Sequence, residues 1–311
     1  MKTHFILGSI LAATLMMGGC TPKNKAATPA ETKTLPVAQT NDGPALWLVQ
    51  DADTKVYLFG TVHLLKPEIK WQNEKFGKAF AASDAIYQEA DVTSPEAQQT
   101  MMKAMMSLAM FTDGRTLNDL LDDEQEREVN EAAAIVGIPP ANLQGMKPWV
   151  AGLTLMQMQI GKLGYEADSG VEMVINTKAK AAKKEIRYFE TAAQQVRFMG
   201  ELPEASQIEF LVQGAIAIED EPDMLDELVS DWAEGDVAGI AEMMSGVDDW
   251  GDMTVYNTLL VGRNRVWTKK ISQLMDDEAG TFMVAVGAGH LAGEDSVIAM
   301  LRDNGETVTR Q

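Results

Sequence analysis

Val56-Tyr57-Leu58-Phe59-Gly60-Thr61-Val62-His63 and Phe282-Met283-Val284-Ala285-Val286-Gly287-Ala288-Gly289-His290 are two versions of one pattern at opposite ends of the chain. Each is an apolar, β-leaning run of strand length that breaks into Gly-x-x-His. The chain has 3 histidines, and the first, His4, lies in a leader-like segment. The two that remain therefore share one local setting. Strands separated by helices lie parallel as a rule, and open α/β sheets bind ligands beyond the carboxyl ends of their strands. Two scarce imidazoles at two such ends predict a single site assembled by the fold. Neutral imidazole is both the commonest metal ligand and the usual base near neutral pH.

Outward from these runs, further strands are predicted. Residues 46–49 and 55–59 form a hairpin around Asp51-Ala52-Asp53-Thr54, residues 85–87 lead to Glu89 and Asp91, and residues 185–189 lead to Glu190-Thr191. Residues 306–309 suit an edge strand. Residues 98–111 open a helical stretch that continues to Lys184, with Thr116 as an N-cap ahead of leucines at helical spacing and Gly137-Ile138-Pro139-Pro140 as punctuation. Helices return over 268–277 and 296–304. The expected fold is α/β: a central mixed, largely parallel sheet with helices on its faces and a large helical middle section. Its strand ends present His63, Glu89 with Asp91, Glu190 and His290.

The N-terminus reads as a secretion signal over residues 1–19: Lys2, an apolar stretch from Phe5 to Met17, then small residues. Met17-Gly18-Gly19-Cys20 resembles a bacterial lipobox with Met at the position usually held by Leu, which makes Cys20 the expected lipidation site. Cys20 is the chain's 1 cysteine, so a domain downstream of it has no thiol for disulfides or metal ligation. Residues 20–43, rich in Thr, Pro, Ala and Lys, form a tether, and 44–311 form a single domain. Thr21 after the cysteine, rather than Asp, points to the outer membrane, facing the periplasm, in a Gram-negative host. The formal charge of −20 disfavours nucleic acid and anionic lipid as direct partners, since both need clustered cations.

Seven segments in order resemble the TraB/PrgY/GumN family, to which the Tiki proteases are related. They are Tyr57 to His63, Glu89-Ala90-Asp91, Met146-Lys147-Pro148-Trp149, Gly170-Val171-Glu172, Phe189-Glu190-Thr191 with Gln195, Arg263-Asn264 with Trp267, and Gly287 to His290. The resemblance implies that the paired Gly-x-x-His motifs and the early Glu form the active site, and that the activity is metal-dependent hydrolysis of a peptide. Glu172 stands where Asp is frequent in the family, and Ala192-Ala193-Gln194 lacks the acidic or proline character often found there.

On that reading His63, His290 and Glu89 hold a divalent ion (Zn, Mn, Co or Fe), since a hydrolytic site needs about three protein ligands and an open position. Glu89, Asp91, Arg263, Asn264 and Glu190 are the candidate catalytic residues. A carboxylate takes a proton from water, and Arg263 or Asn264 steadies the oxyanion or orients a ligand. Each has a plainer alternative: Asp91 as a charged loop residue, Glu190 or Thr191 as a helix cap, Arg263 as a solvated surface residue. The methionines of residues 101–110 are expected to be adaptable core. A second functional class stays open: an envelope protein that binds a small molecule, signal peptide or haem without turnover. An accessory role in exopolysaccharide production, suggested only by the GumN name, is the weakest.

Overall fold

Asp51 sets the first turn, its Oδ1 accepting from the backbone N–H of Asp53 and Thr54 at 3.1 and 2.8 Å. That turn folds β1 (Leu46–Gln50) back on β2 (Thr54–Thr61) as the expected antiparallel hairpin. The computed structural model describes residues 43–244 and 253–311. The expected signal peptide, Cys20 and the expected tether up to residue 42 lie outside the described residues. Four more strands complete a sheet ordered β4-β3-β5-β2-β1-β6: β3 (Ala85–Asp91), β4 (Glu185–Thr191), β5 (Gly280–Gly287) and β6 (Val308–Arg310). β2, β5, β3 and β4 run parallel, while β1 is antiparallel to both its neighbours. The fold is the mixed, largely parallel α/β arrangement that the alternating pattern implies.

The pairing of β2 with β5 matters most. Its register sets Thr61 beside Gly287, so both Gly-x-x-His segments leave the sheet at the same edge. Neither Gly60 nor Gly287 has positive φ, so no left-handed backbone is required there, and Gly60 acts through closeness. A Cβ on Gly60 would stand 3.1 Å from the Cα of Ala288.

Helices cover both faces. The chain runs through α1 (Glu74–Ala82), α2 (Pro95–Leu108), α3 (Asp123–Val136), α4 (Pro148–Lys162), α5 (Val171–Ala181), α6 (Ala192–Gly200), α7 (Glu204–Asp220), α8 (Met224–Glu234) and α9 (Val237–Met244). After the undescribed residues come α10 (Met253–Tyr256), a π turn (Asn257–Val261), α11 (Gly262–Asp277) and α12 (Val297–Asp303). On one face Val56, Leu58, Val284 and Val286 meet Trp267, Ile271, Leu274 and Leu301 of α11 and α12. On the other, Phe59, Ile86, Met283 and Ala285 join a core with Trp71, Phe76, Ile175 and Trp232. Leu117, Val129, Leu155 and Leu211 form a third cluster, within the helical middle section.

Two local expectations change. Thr116 caps only a 3-10 turn, Leu117–Asp119, because Asp122 takes extended backbone to cap α3 through a reciprocal box with Gln125. The methionines of α2 divide: Met101 is buried, whereas Met102 and Met106 are 53% and 75% exposed. The core stripe uses the positions three and four apart, Met101, Ala104, Met105 and Leu108, and the residues between them point outward. Among the described residues no helix is long and apolar enough to cross a membrane.

α5 docks its first turn against the loop that carries His63. Val171 N–H donates to Val62 O at 2.9 Å, and a Cβ on Gly170 would fall 2.0 Å from His63 O. Substituting Gly170→Ala therefore forces the two backbones apart and is expected to cost about 3 kcal/mol, the upper range for overpacking. A lowered urea midpoint with unchanged m-value is the expected readout; an unchanged midpoint would refute the close docking.

Candidate active site

The four parallel strands deliver their carboxyl-end residues to one rim. Glu89 lies on β3, Glu190 on β4, and His63 and His290 just beyond β2 and β5. Both imidazoles are buried, as are Glu89, Arg263 and Asn264.

Each imidazole is pinned through Nδ1. His63 Nδ1 donates to Glu172 Oε1 at 2.7 Å, and Thr61 Oγ1 donates to the same oxygen. His290 Nδ1 lies 2.6 Å from Asn264 Oδ1. Asn264 Nδ2 donates to Asp295 O at 2.7 Å, so the amide turns its oxygen to the ring and Nδ1 carries the proton. Both rings in their neutral form thus offer an Nε2 lone pair. That of His63 is buried without a partner among the described residues. That of His290 lies 3.2 Å from Arg263 Nη1 and 3.9 Å from Glu89 Oε1.

Arg263 occupies the centre. Its Nη2 donates to Glu89 Oε2 at 2.6 Å and to Glu190 Oε2 at 2.9 Å, and its Nε donates to Glu190 Oε1 at 2.9 Å. Nη1 donates to Leu259 O at 3.1 Å. The π turn explains why a helix residue can do this. Gly262 N–H reaches back to Asn257 O, where a Cβ on Gly262 would stand 2.9 Å from that oxygen. The widened turn rotates the start of α11 so that Arg263, Asn264 and Trp267 face inward, where Trp267 Nε1 donates to Glu190 Oε1 at 2.9 Å and its ring lies 4.4 Å from that of His290. Gln195 of α6 adds Nε2 contacts to Glu89 at 3.1 Å and to Glu190 at 3.4 Å.

These neighbours divide the protonation states. Burial alone would raise the Glu89 carboxyl, but Arg263, the two imidazoles and the Gly287 N–H, which donates at 2.8 Å, hold it down at about 2. Burial and then Arg263 press His290 down to about 3. Burial would lower His63 as well, yet the Glu172 carboxylate outweighs it and raises the ring above its ordinary value. Glu190 is raised, because burial outweighs its contact with Arg263.

The structure brings His63, His290, Glu89, Glu190, Arg263 and Asn264 together. It does not bring Asp91. Asp91 Oδ1 accepts from Thr93 N–H, Thr93 Oγ1 and Ser94 N–H at 2.9, 3.1 and 3.0 Å, closing the turn into α2. The same hydrogen bonds decide between alternatives for two residues. Arg263 is buried rather than solvated, and its donors are engaged by Glu89, Glu190, Leu259 and His290. Asn264 orients His290, the second of the two roles expected of it. Thr191 does cap α6, while Glu190 pairs with Arg263. Glu172 is the participant that the sequence hid: its only signal was Gly170-Val171-Glu172.

A model of the TraB/PrgY/gumN family matches residues 45–310. The chain belongs to that family. It is 22% identical over 275 residues to the uncharacterized protein YbaP of Escherichia coli (strain K12), covering 83% of this chain and 92% of that protein. It is 23% identical over 330 residues to Metalloprotease TIKI2 of Xenopus tropicalis, covering 88% of this chain and 61% of that protein. No solved structure matches it.

The donor chemistry fits a divalent ion held by His63, His290 and Glu89: two oriented Nε2 lone pairs, one of them unpartnered, beside an ionised carboxylate. The spacing is wider than a closed coordination sphere. Among the described residues, the only three acidic or imidazole side chains with ligand atoms all within 4.8 Å of one another are Glu128, Glu131 and Glu219 of α3 and α7. At the rim, Arg263 stands against His290 Nε2.

Acid should reveal this arrangement. Below pH 6.5, the ordinary value for histidine, the unfolded chain takes up a proton that folded His290 refuses until about pH 3. Its contribution to stability is therefore complete above 6.5 and lost as pH falls. His63, with a raised folded value, has the opposite sign: its contribution is present below 6.5 and is lost as pH rises. Comparing wild type with His290→Gln in chelator-treated protein isolates the first effect. Urea midpoints are expected to fall less steeply in the variant between pH 6.5 and 4.5; parallel curves would contradict the buried neutral ring.

Proposed function

We propose that this protein is a hydrolase whose catalytic centre is the rim of His63, Glu89 and His290, with a peptide bond as the first-choice substrate and metal dependence as the first-choice mechanism. The observation that carries the reading is the Nε2 of His63: buried, unpartnered, and aimed by a carboxylate on its other nitrogen. A nitrogen held in that way is a ligand or a base, since a buried polar atom left unsatisfied has no structural benefit. The name of the relative, Metalloprotease TIKI2, favours the metal form.

In that form His63, His290 and Glu89 hold the ion, which when bound lowers the pKa of water toward ~7 and polarises a carbonyl. The chain's own residues do the rest. Glu172 and Asn264 fix the two ring tautomers. Glu89, ionised at neutral pH, supplies the negative charge. Glu190 and Trp267 anchor Arg263 and the aromatic wall behind His290. Arg263, on releasing His290, has a donor free for developing negative charge on the substrate.

A second reading rests on the Arg263–His290 contact at 3.2 Å. With Arg263 left in place, His63 is the base of a metal-independent hydrolysis: Nε2 takes a proton from water while Glu172 stabilises the imidazolium. Metal analysis and a peptide-library cleavage assay, on wild type, His63→Ala and His290→Ala, separate the two. About one ion per chain, lost in both variants along with at least a ~10²-fold drop in turnover, supports the metal form. Chelator-resistant turnover abolished only by His63→Ala supports the second. Tight ligand binding with no turnover would favour an envelope binding protein instead, and full turnover in His63→Ala would remove both hydrolase readings.

We also read the domain as exported and lipid-anchored through Cys20 in the cell envelope, on the strength of residues 1–20. The Cys20→Ser variant is expected to move from the membrane fraction to the soluble fraction, and a soluble wild type would refute the anchor.

A further inference from the structure

Beside His63 lies a cavity of about 40 Å³, bounded by β3, α5 and α6. Its walls are largely apolar, with Ala90, Val92 and Met173 among the lining residues. A single water needs roughly 10–15 Å³ on this scale, so the space suits a group of a few heavy atoms. What distinguishes the cavity is its unpartnered atoms. Three buried side-chain atoms without a partner belong to residues that line it: Gln195 Oε1, Glu172 Oε2 and His63 Nε2.

The first two are acceptors without ambiguity. Gln195 must present Nε2 to Glu89 and Glu190, since turning the amide over would set oxygen against two carboxyl oxygens. Gln195 is 5% exposed, so no bulk water serves its oxygen. Glu172 uses Oε1 for His63 and Thr61, leaving Oε2 as a carboxylate oxygen with nothing to accept from. The amide donors of the same wall are engaged: Gln88 Nε2 with Glu172 O at 3.0 Å, and Asn176 Nδ2 with Gln88 Oε1 at 3.2 Å. Lys180 Nζ, the nearby cation, is held outside on Thr93 Oγ1 at 3.2 Å. A lining with two unpartnered acceptors, one of them a carboxylate oxygen, and with each amide nitrogen already bonded to an acceptor favours a ligand made of N–H donors. A bare metal ion is the poorer occupant of this cavity, because its lining lacks His290, the second imidazole of the proposed metal site.

We propose that this cavity binds a primary ammonium group of the substrate, placing it beside His63, with Gln195 Oε1 and Glu172 Oε2 as its acceptors. The proposal rests on the hydrolase reading only for the word substrate; the binding site stands or falls by itself. A peptide can supply such a group from its N-terminus or from a lysine side chain.

The probes are Ala-Ala-Ala amide, its N-acetyl form and N-acetyl-Ala-Lys-Ala amide, titrated by calorimetry into the full-length protein. At least one amine-bearing peptide is expected to bind about tenfold more tightly than the acetylated trialanine, the value of a charge-assisted hydrogen bond. Tighter binding of the first assigns the pocket to a free N-terminus, tighter binding of the third to lysine. Glu172→Gln is the decisive variant, because its amide oxygen can still accept from His63 Nδ1 while an N–H₂ donor replaces Oε2. It should erase the preference for the amine, with the His63 tautomer unchanged by ¹⁵N NMR. Gln195→Met, which removes the second acceptor without adding charge, should weaken the same preference. Equal affinity for amine and acetyl peptides, or an unchanged preference in both variants, overturns the proposal and leaves the hydrolase reading intact. Amine-selective binding with no turnover of any peptide would do the reverse.

Discussion

The parallel pairing of β2 with β5 is the constraint from which the site follows. Once Thr61 and Gly287 are neighbours in register, two imidazoles remote in sequence must leave the sheet at one edge. β3 pairs on the other side of β5 with Gln88 opposite Ala285, which brings Glu89 to the same edge and lets its Oε1 accept from Gly287 N–H. The hydrophobic faces of these strands enforce that register. A slip of one residue would turn Val56 and Leu58 away from the core of α11 and α12 and set Tyr57 and Phe59 against it.

Upon this frame sits a buried charge cluster in which two carboxylates share one guanidinium. Burying ions is costly, and an apolar core of similar volume is often as stable. The cluster makes physical sense as a device that fixes positions and protonation states. Arg263 keeps Glu89 ionised and adds to burial in keeping His290 neutral, while Glu190, gripped by Arg263 and Trp267, holds the arginine in place. At His63 the Glu172 carboxylate outweighs burial and Arg263, so the two rings of matching sequence motifs are shifted in opposite directions.

The strand ends were legible in the amino-acid sequence because an apolar run followed by Gly-x-x-His carries its own boundary. The sheet class, the hairpin at Asp51 and the edge strand followed from the same kind of local signal. The family pattern flagged Arg263 and Asn264 but not their partners, since nothing in the residues from Asn257 to Val261 announces a π turn, and that turn decides which way α11 faces. Glu172 was hidden for a related reason: its pairing with His63 depends on how closely α5 approaches a loop, a distance set by Gly170 and visible only in three dimensions. Asp91 misled in the other direction. Alternation along a strand puts it on the face of Glu89, but the strand ends there and a turn claims its carboxylate.

The asymmetry between the rings also bears on how the rim can work. A ligand or base must have a lone pair available, and at neutral pH each ring meets that need differently. His290 has an assured lone pair that Arg263 covers, whereas the uncovered Nε2 of His63 offers a lone pair only in the neutral ring, whose proton affinity Glu172 enhances. In the proposed metal form an ion would gain His290 only by displacing a guanidinium that has two carboxylates to retain it. Displacement at Nη1 leaves the contacts of Nε and Nη2 intact, so Arg263 can give up His290 without leaving Glu89 or Glu190 unpaired. The buried cluster is in this sense hinged at one nitrogen. The charge balance of the core survives the change, and the freed N–H group stays at the rim.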